Sequence, residues 1–321
     1  MSNILIEAQG LTKEFPAGRG KKVHAVTDVS LRIHEGETLG IVGESGCGKS
    51  TLGNLLAHLL PPTSGRLYVR GEDVTDFNDR QFLKYRRQFQ MIFQDTGAAL
   101  DPRMTIRDIV AEPLETYRVC PTPEATTQKV AELLEAVGVS GEALPRYPHQ
   151  FSGGQRQRIG IARAIAADPA LIVCDEPVSA LDVSVQNQIL NLLGDLKKSR
   201  GLAYLFISHD LSVVRYISDR IGVMFLGRLC ELGDTQDVFH RPLHPYTRFL
   251  LDAIPVPDPR RRDDKIELMK GEIPSPVNPP SGCRFHPLCP YASEECRREV
   301  PAFRDLEGRM VACHHPLKIS H

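Results

Sequence analysis

Gly43-Glu-Ser-Gly-Cys-Gly-Lys-Ser50 fills every fixed position of the phosphate-loop pattern G-x-x-x-x-G-K-[ST]. An apolar stretch, Thr38-Leu-Gly-Ile-Val42, precedes it. A helix-like run from Thr51 to Leu60 follows and is halted by Pro61-Pro62. Strand, loop and helix in that order are the context the pattern needs. Gly43, Gly46 and Gly48 let the backbone curl, so that N–H groups along Glu44, Ser45 and Cys47 turn toward phosphate oxygens. The helix start at Lys49, Ser50 and Thr51 adds positive dipole at the same point. Lys49 reaches the β- and γ-phosphates, and the Ser50 hydroxyl suits Mg²⁺. A chain built this way is expected to bind a nucleoside triphosphate.

With 321 residues the chain can bury a sizeable core, and one large domain plus a smaller one is the natural expectation. Hydrophobic residues at 41% and charged residues at 25% are ordinary for a globular protein. A net charge of −1 argues against a broad nucleic-acid footprint. Met1 to Gly10 carries Glu7 and has no long apolar core, so no signal segment is read there. The most apolar late stretch, Leu211 to Leu232, is broken by Arg215, Asp219, Arg220 and Arg228, and no membrane span is expected. A reducing cytoplasm then follows, in which the eight cysteines are better explained by metal or cluster ligation than by disulfides.

Residues 4–42 read as short alternating strands with turns. Glu124 to Val137 places Val130, Leu133, Leu134 and Val137 on one helical face. Gln155 to Ala167 reads as a second helix, ended by Asp168-Pro169. Leu171-Ile-Val-Cys174 and Ala203-Tyr-Leu-Phe-Ile207 are continuous apolar runs, as strands covered on both faces of a parallel sheet would be. Val185 to Leu196 suits a crossover helix between them. Nine of the 36 residues from Pro255 to Pro290 are proline, which marks a linker and a loop-rich tail.

Nucleotide hydrolysis needs acidic groups at the end of a second strand. Asp175-Glu176 supplies two: Asp175 to hold Mg²⁺ through water, and Glu176 to polarise the attacking water as a general base. Phe151-Ser-Gly-Gly-Gln155 opens a helix with another nest of N–H donors. One triphosphate has little use for two nests from a single domain, whereas a dimer that sandwiches it uses both. On these residues, over roughly 4–250, the chain resembles the nucleotide-binding domain of ABC transporters. Further matches are Gln94 after Gln90-Met-Ile-Phe93, the D-loop-like Ser179-Ala-Leu-Asp182, and His209 after Phe206-Ile-Ser208. Phe15 matches the aromatic position that stacks on adenine, a task that needs only a π face.

The resemblance implies an α/β fold. It comprises a P-loop ABC ATPase with a RecA-like core, an antiparallel β subdomain and an α-helical signature subdomain, plus a small C-terminal cysteine-cluster appendage. It assigns His209 to the γ-phosphate, and Gln94 to Mg²⁺ and the attacking water. Mg²⁺ would be held through Ser50, Gln94 and Asp175. Ser152, Gly153, Gly154 and Gln155 would face the partner's ATP, with Asp182 in the D-loop. The nucleotide-binding domain is expected over 4–253, its helical subdomain over about 95–168, and the C-terminal region over 254–321.

Gln94-Asp-Thr-Gly-Ala-Ala-Leu-Asp-Pro-Arg-Met-Thr-Ile106 is similar to the segment of peptide-importer ATPases that meets the membrane subunits. Thr96-Gly97 departs from the Pro-Tyr common there. Arg146-Tyr-Pro-His-Gln-Phe151, Ala180 to Gln186, His244-Pro-Tyr-Thr-Arg-Phe-Leu250 and Gly271-Glu-Ile-Pro-Ser-Pro276 match the same subfamily. The chain therefore looks like an F-type ATP-binding subunit of a dipeptide/oligopeptide importer, peripheral at the cytoplasmic face of the membrane. Implied partners are a D-type ATPase subunit in a heterodimer, two membrane permeases and, indirectly, an extracytoplasmic solute-binding protein, with no nucleic acid. The same engine also serves relatives importing nickel, glutathione, murein peptides or oligosaccharides. A soluble ABC ATPase acting on nucleic acid or ribosomes is the rival class, against which stand one nucleotide domain and no heptad insertion.

Cys283, Cys289, Cys296 and Cys313 fall within 31 residues of the loop-rich tail. Four thiolates suit tetrahedral zinc or an iron–sulfur cluster, either of which would staple a small appendage; reduced, unligated thiols are the remaining alternative. Close Cys pairs of the structural-zinc type are missing, and the resemblance points to a [4Fe–4S] cluster. His286, His314 and His315 are reserve ligands. Cys47, Cys120, Cys174 and Cys230 are scattered and expected to bear no metal.

Overall fold

A computed structural model describes residues 3–18, 20–94, 99–254 and 271–317. In chain order the first elements are β1 (Ile4–Pro16), β2 (Lys22–His34), β3 (Thr38–Val42), α1 (Lys49–Leu56), β4 (Ser64–Val69) and β5 (Glu72–Asp73). Next come α2 (Asp79–Arg86), β6 (Phe89–Ile92), α3 (Ile106–Thr116), α4 (Pro123–Ala136), α5 (Gly153–Ala166) and β7 (Leu171–Asp175). They are followed by α6 (Val183–Arg200), β8 (Ala203–Ile207), α7 (Leu211–Ile217), β9 (Arg220–Phe225) and β10 (Arg228–Asp234). The last are α8 (Thr235–His240), α9 (Pro245–Asp252), α10 (Glu294–Arg298), β11 (Arg304–Leu306) and β12 (Arg309–Val311). Thr96-Gly97, and residues 255–270 of the proline-rich stretch expected over Pro255 to Pro290, lie outside the described residues. None of the helices among the described residues is long and apolar enough to cross a membrane.

The chain divides into two compact units. One comprises residues 1–3, 34–37 and 76–206. Here β8, β7 and β6 lie side by side, and β6 pairs with β7 in parallel, Phe89 opposite Leu171 and Ile92 opposite Cys174. Every residue of β7 and β8 is buried, which is why both read as unbroken apolar runs. Helices α3, α4 and α5 pack on one another, and Val130, Leu133 and Leu134 supply the buried face of α4. Each begins at a side-chain cap: Thr105, Thr122 and Ser152 accept N–H groups of Asp108, Ala125 and Gln155. Asp182 starts α6 in the same way, and Gly201 in a left-handed conformation ends it.

The other unit comprises residues 4–33, 38–75 and 207–321. A four-stranded layer has the order β2-β1-β4-β5, with β1 antiparallel to β4 and β4 antiparallel to β5. A second run of sheet has the order β11-β12-β10-β9-β3. In it β3 is parallel to β9, and the pairs β9/β10, β10/β12 and β11/β12 are antiparallel. The C-terminal region expected as a separate appendage therefore extends the sheet that carries the phosphate loop. The physical reason is core: Val311 is fully buried and packs with Leu243 and Cys313, and Phe285 is 2% exposed. The tail completes an apolar cluster instead of needing one of its own.

His244 anchors this region, its Nδ1 accepting the Tyr246 N–H at 3.0 Å as the cap of α9. Burial holds its pKa down, from 6.5 to about 4, against the pull of a backbone hydrogen bond at Ala312. The unfolded chain consequently takes up this proton first as pH falls. Stability is expected to drop by about 3 kcal/mol between pH 6.5 and 4 from this group alone. His244→Asn keeps a capping acceptor and removes the titration. Denaturant unfolding followed across that range should show a shallower pH slope in the variant, and an unchanged slope would disprove the assignment.

Candidate nucleotide-binding site

Strand β3 is buried at all five positions, so the chain leaves the core at Val42 and must turn at once. A Cβ on Gly43 would lie 2.1 Å from the Met224 carbonyl oxygen, and one on Gly48 would lie 2.0 Å from that of Ala25. Gly43 and Gly48 are thus fixed by the close approach of neighbouring backbone, at φ values of 152° and 105°. Gly46 is different: its φ is 76°, and the place of its missing Cβ is open space. α1 starts two residues after Gly46-Cys47 in the chain, at Lys49, and its first N–H groups have no carbonyl acceptor within the helix. Curled backbone, open cradle and helix start together fit a phosphate group.

Lys49 is 4% exposed, and its ammonium donates to the carbonyls of Gly43 at 2.7 Å and Glu44 at 2.8 Å. The loop's own oxygens thereby satisfy the buried cation. Burial raises the pKa of Glu44 while Lys49 opposes it, and Glu44 Oε2 finds no hydrogen-bond partner among the described residues. The Glu44 N–H donates to the Tyr246 hydroxyl at 3.3 Å, and the Cys47 carbonyl accepts the Gly227 N–H at 2.8 Å. Ser45 and Ser50 are exposed and Thr51 is half-buried. Ser208 N–H donates to the Ile41 carbonyl at 3.2 Å, which holds exposed His209 just beyond the end of β3. Phe15 is half-buried on β1, with the Lys13 ammonium 5.4 Å from its ring centroid.

In the other unit, parallel register brings two expected residues together. Ile92 faces Cys174, so Gln94 and Glu176 leave their strands at the same edge, and Gln94 Nε2 donates to Glu176 Oε2 at 3.2 Å. Glu176 has a φ of 46°, a costly conformation for a residue with a Cβ and one that concentrates at functional sites. Asp175, the last residue of β7, is 7% exposed.

Ser152 and Gln155 form a capping box: Ser152 Oγ accepts the Gln155 N–H, and Gln155 Oε1 accepts the Ser152 N–H. A Cβ on Gly154 would lie 2.5 Å from Val185 Cγ1, whereas at Gly153 the nearest contact would be Leu181 Cδ2 at 3.6 Å. Gly154 is therefore also a packing glycine against the start of α6. Asp182 accepts the Ser184 hydroxyl at 2.7 Å and the Val185 N–H at 3.0 Å, which hold its pKa down.

Cys283, Cys289, Cys296 and Cys313 line one small cavity with Phe285, Tyr291 and His286. Neither the expected [4Fe–4S] site nor its zinc alternative is formed: no three His, Cys, Asp or Glu side chains among the described residues are grouped to hold a metal ion. Burial pushes the Cys289 and Cys313 thiols up to about 11 and about 12.

Sequence reasoning missed the supports behind the loop. Tyr246 lay inside a quoted motif, but nothing local signals that its hydroxyl reaches residue 44. Gly227 stands in a two-residue hairpin turn whose partner strands had been read only as an apolar stretch.

The ABC transporter family matches residues 26–179, and the oligopeptide/dipeptide transporter C-terminal region matches residues 230–296. The putative oligopeptide transport ATP-binding protein YkfD of Bacillus subtilis is 53% identical, over 97% of this chain and 95% of its own length. The chain belongs to the ABC transporter ATP-binding family, oligopeptide type. The oligopeptide transport ATP-binding protein OppF of Salmonella typhimurium is 47% identical, over 97% of this chain and 96% of its own length. Among solved structures, the dimeric post-hydrolysis cassette MJ0796 bound to ADP and Pi is similar, with a TM-score of 0.66 and 30% identity. It covers 72% of this chain and 99% of its own. This member of the ABC family is thus a P-loop ATPase of mixed α/β fold.

Proposed function

We propose that this chain is the ATP-hydrolysing subunit that powers import of di- or oligopeptides through membrane permease subunits. One observation carries the reading: identity of 53% runs across 97% of the chain, through both the phosphate loop and the C-terminal region. The nucleotide-binding domain is assigned to 4–253 and the importer-specific region to 254–321. The loop from Gly43 to Thr51 and Lys49 hold the phosphates, and Phe15 offers its ring to adenine. Ser50, Gln94 and Asp175 are the groups that would hold Mg²⁺, whose charge offsets that of the phosphates. Glu176 takes the proton of the attacking water, His209 serves the γ-phosphate, and Ser152 to Gln155 with Asp182 face the nucleotide of a second, D-type ATPase subunit. The assembly sits at the cytoplasmic face of the membrane with two permeases and a solute-binding protein.

Cys283, Cys289, Cys296 and Cys313 are proposed as ligands of a [4Fe–4S] cluster in preference to zinc. They share one cavity, yet no three are grouped about a single ion. A cluster accepts that spread, because each thiolate binds a different iron. One preparation tests both readings. Purified anaerobically with its membrane subunits and reconstituted with the binding protein, the complex should hydrolyse ATP faster when peptide is present. The same sample should absorb broadly near about 400 nm and contain iron. Peptide-independent turnover would remove the import reading, and an iron-free sample would remove the cluster.

A further inference from the structure

The loop Gly43–Gly48 is held from behind at two points that the phosphate motif does not specify. At one end the Glu44 N–H donates to Tyr246 Oη at 3.3 Å. Tyr246 is fully buried, and its ring meets Phe225 at 4.7 Å and Phe285 at 5.2 Å between centroids. Phe225 and Phe285 in turn meet edge-on at 5.3 Å, so three rings brace one hydroxyl. At the other end the Cys47 carbonyl accepts the Gly227 N–H.

Leu226 and Gly227 are the two turn residues between β9 and β10, at φ values of 42° and 80°. Both central residues at positive φ suit a tight hairpin, but Leu226 pays a conformational cost that something must hold. Arg284 does so: Nη1 donates to the Leu226 carbonyl, and Nη2 donates to Thr27 Oγ1 at 3.0 Å. Thr27 closes the ring by donating its N–H to the Gly227 carbonyl at 2.8 Å. Arg284 is 8% exposed, and both acceptors are neutral oxygens. A guanidinium buried for an ordinary ion pair would face a carboxylate here.

We propose that Tyr246 and Arg284 are positioning residues for nucleotide binding. The segment Cys283-Arg284-Phe285 forms the back wall that sets the aim of the loop's N–H groups. The inference rests on the reading of the loop as the ATP site and adds that the C-terminal region tunes its affinity.

Binding of Mg-ATP to the full-length chain, measured by calorimetry, tests this. Tyr246→Phe keeps the three-ring cluster and loses only the acceptor. It should raise Kd about fivefold, the value of one hydrogen bond, with the melting temperature lowered by no more than a few degrees. Arg284→Met should raise Kd about tenfold, and Arg284→Lys should recover most of that, because an ammonium still donates to the Leu226 carbonyl. In steady-state hydrolysis the change should appear in KM with kcat at saturating ATP retained. Wild-type affinity in both Tyr246→Phe and Arg284→Met would overturn the proposal. So would losses that track a fall in melting temperature and are not rescued by lysine. If Arg284→Met fails to fold, Tyr246→Phe decides alone. A wild-type chain that does not bind Mg-ATP would instead remove the ATP reading itself, and this inference with it.

Discussion

Glu176→Gln is expected to cut ATP turnover about 10²- to 10⁴-fold while Mg-ATP binding persists. The substitution changes very little else. Glutamine keeps the length of the side chain, and its amide oxygen can still accept the hydrogen bond that Gln94 Nε2 gives to Glu176 Oε2. The left-handed backbone at φ 46° is also retained, since both residues carry the same branching at Cβ. What disappears is the only property the proposed role requires, a carboxylate able to take a proton. The expected loss corresponds to about 3–5 kcal/mol of barrier, far above any effect of a rearranged surface contact. Phosphate release and nucleotide binding measured on the same preparation separate the two roles. Turnover within a few-fold of wild type would show that the proton goes elsewhere and would withdraw Glu176 as the base. Equal loss of binding and turnover would assign it to substrate holding.

The strands and helices that position this site were legible because their signals are local. β3 and β8 were read with the bounds they have, since a strand buried on both faces announces itself as an unbroken apolar run. α1 was read to Leu60 and stopped by prolines, yet it ends at Leu56. His58 takes a left-handed φ of 53°, and the Leu59 N–H returns to the Asn54 carbonyl at 2.8 Å. That stop is made without glycine, so no residue type marked it. The tail was misjudged for the opposite reason. Strands of three residues are too short for an alternating pattern, and β12 finds its partner β10 some 78 positions earlier, as the Glu231–Arg309 contact shows. The motif glycines were legible as a group but not in their division of labour. Only packing distinguishes Gly43 and Gly48, pressed against backbone, from Gly46, which faces open space.

Arg309→Met should cost about 3–5 kcal/mol of stability, the second large effect expected in this chain. Arg309 and Glu231 are 2% and 0% exposed, with Arg309 Nη1 3.5 Å from Glu231 Oε1. Gly233 makes room for the arginine stem, since a Cβ there would lie 2.6 Å from Arg309 Cγ. The guanidinium also donates to the carbonyls of Asp237 and Arg241, tying β12 to the end of α8. Glu231 accepts the N–H groups of Leu243 at 3.0 Å and His244 at 2.9 Å, so it fixes the chain as it enters α9. Removing the arginine leaves a buried carboxylate with amide donors but no counter-charge. Burial already raises the pKa of Glu231, with Arg309 among the groups opposing it. Without that opposition the folded-state pKa rises further above the unfolded one. A raised carboxyl pKa means stability present at low pH and lost as pH climbs, so the deficit of the variant should narrow in acid. The double change Glu231→Gln with Arg309→Met should recover most of the loss at neutral pH. A neutral amide oxygen still accepts the two N–H groups, and no unpaired charge remains. Denaturant unfolding of the two variants at neutral and acid pH reads all of this. A single-variant cost below about 1 kcal/mol, or a double variant no more stable than the single, would mean that the pair does not hold the tail to the sheet.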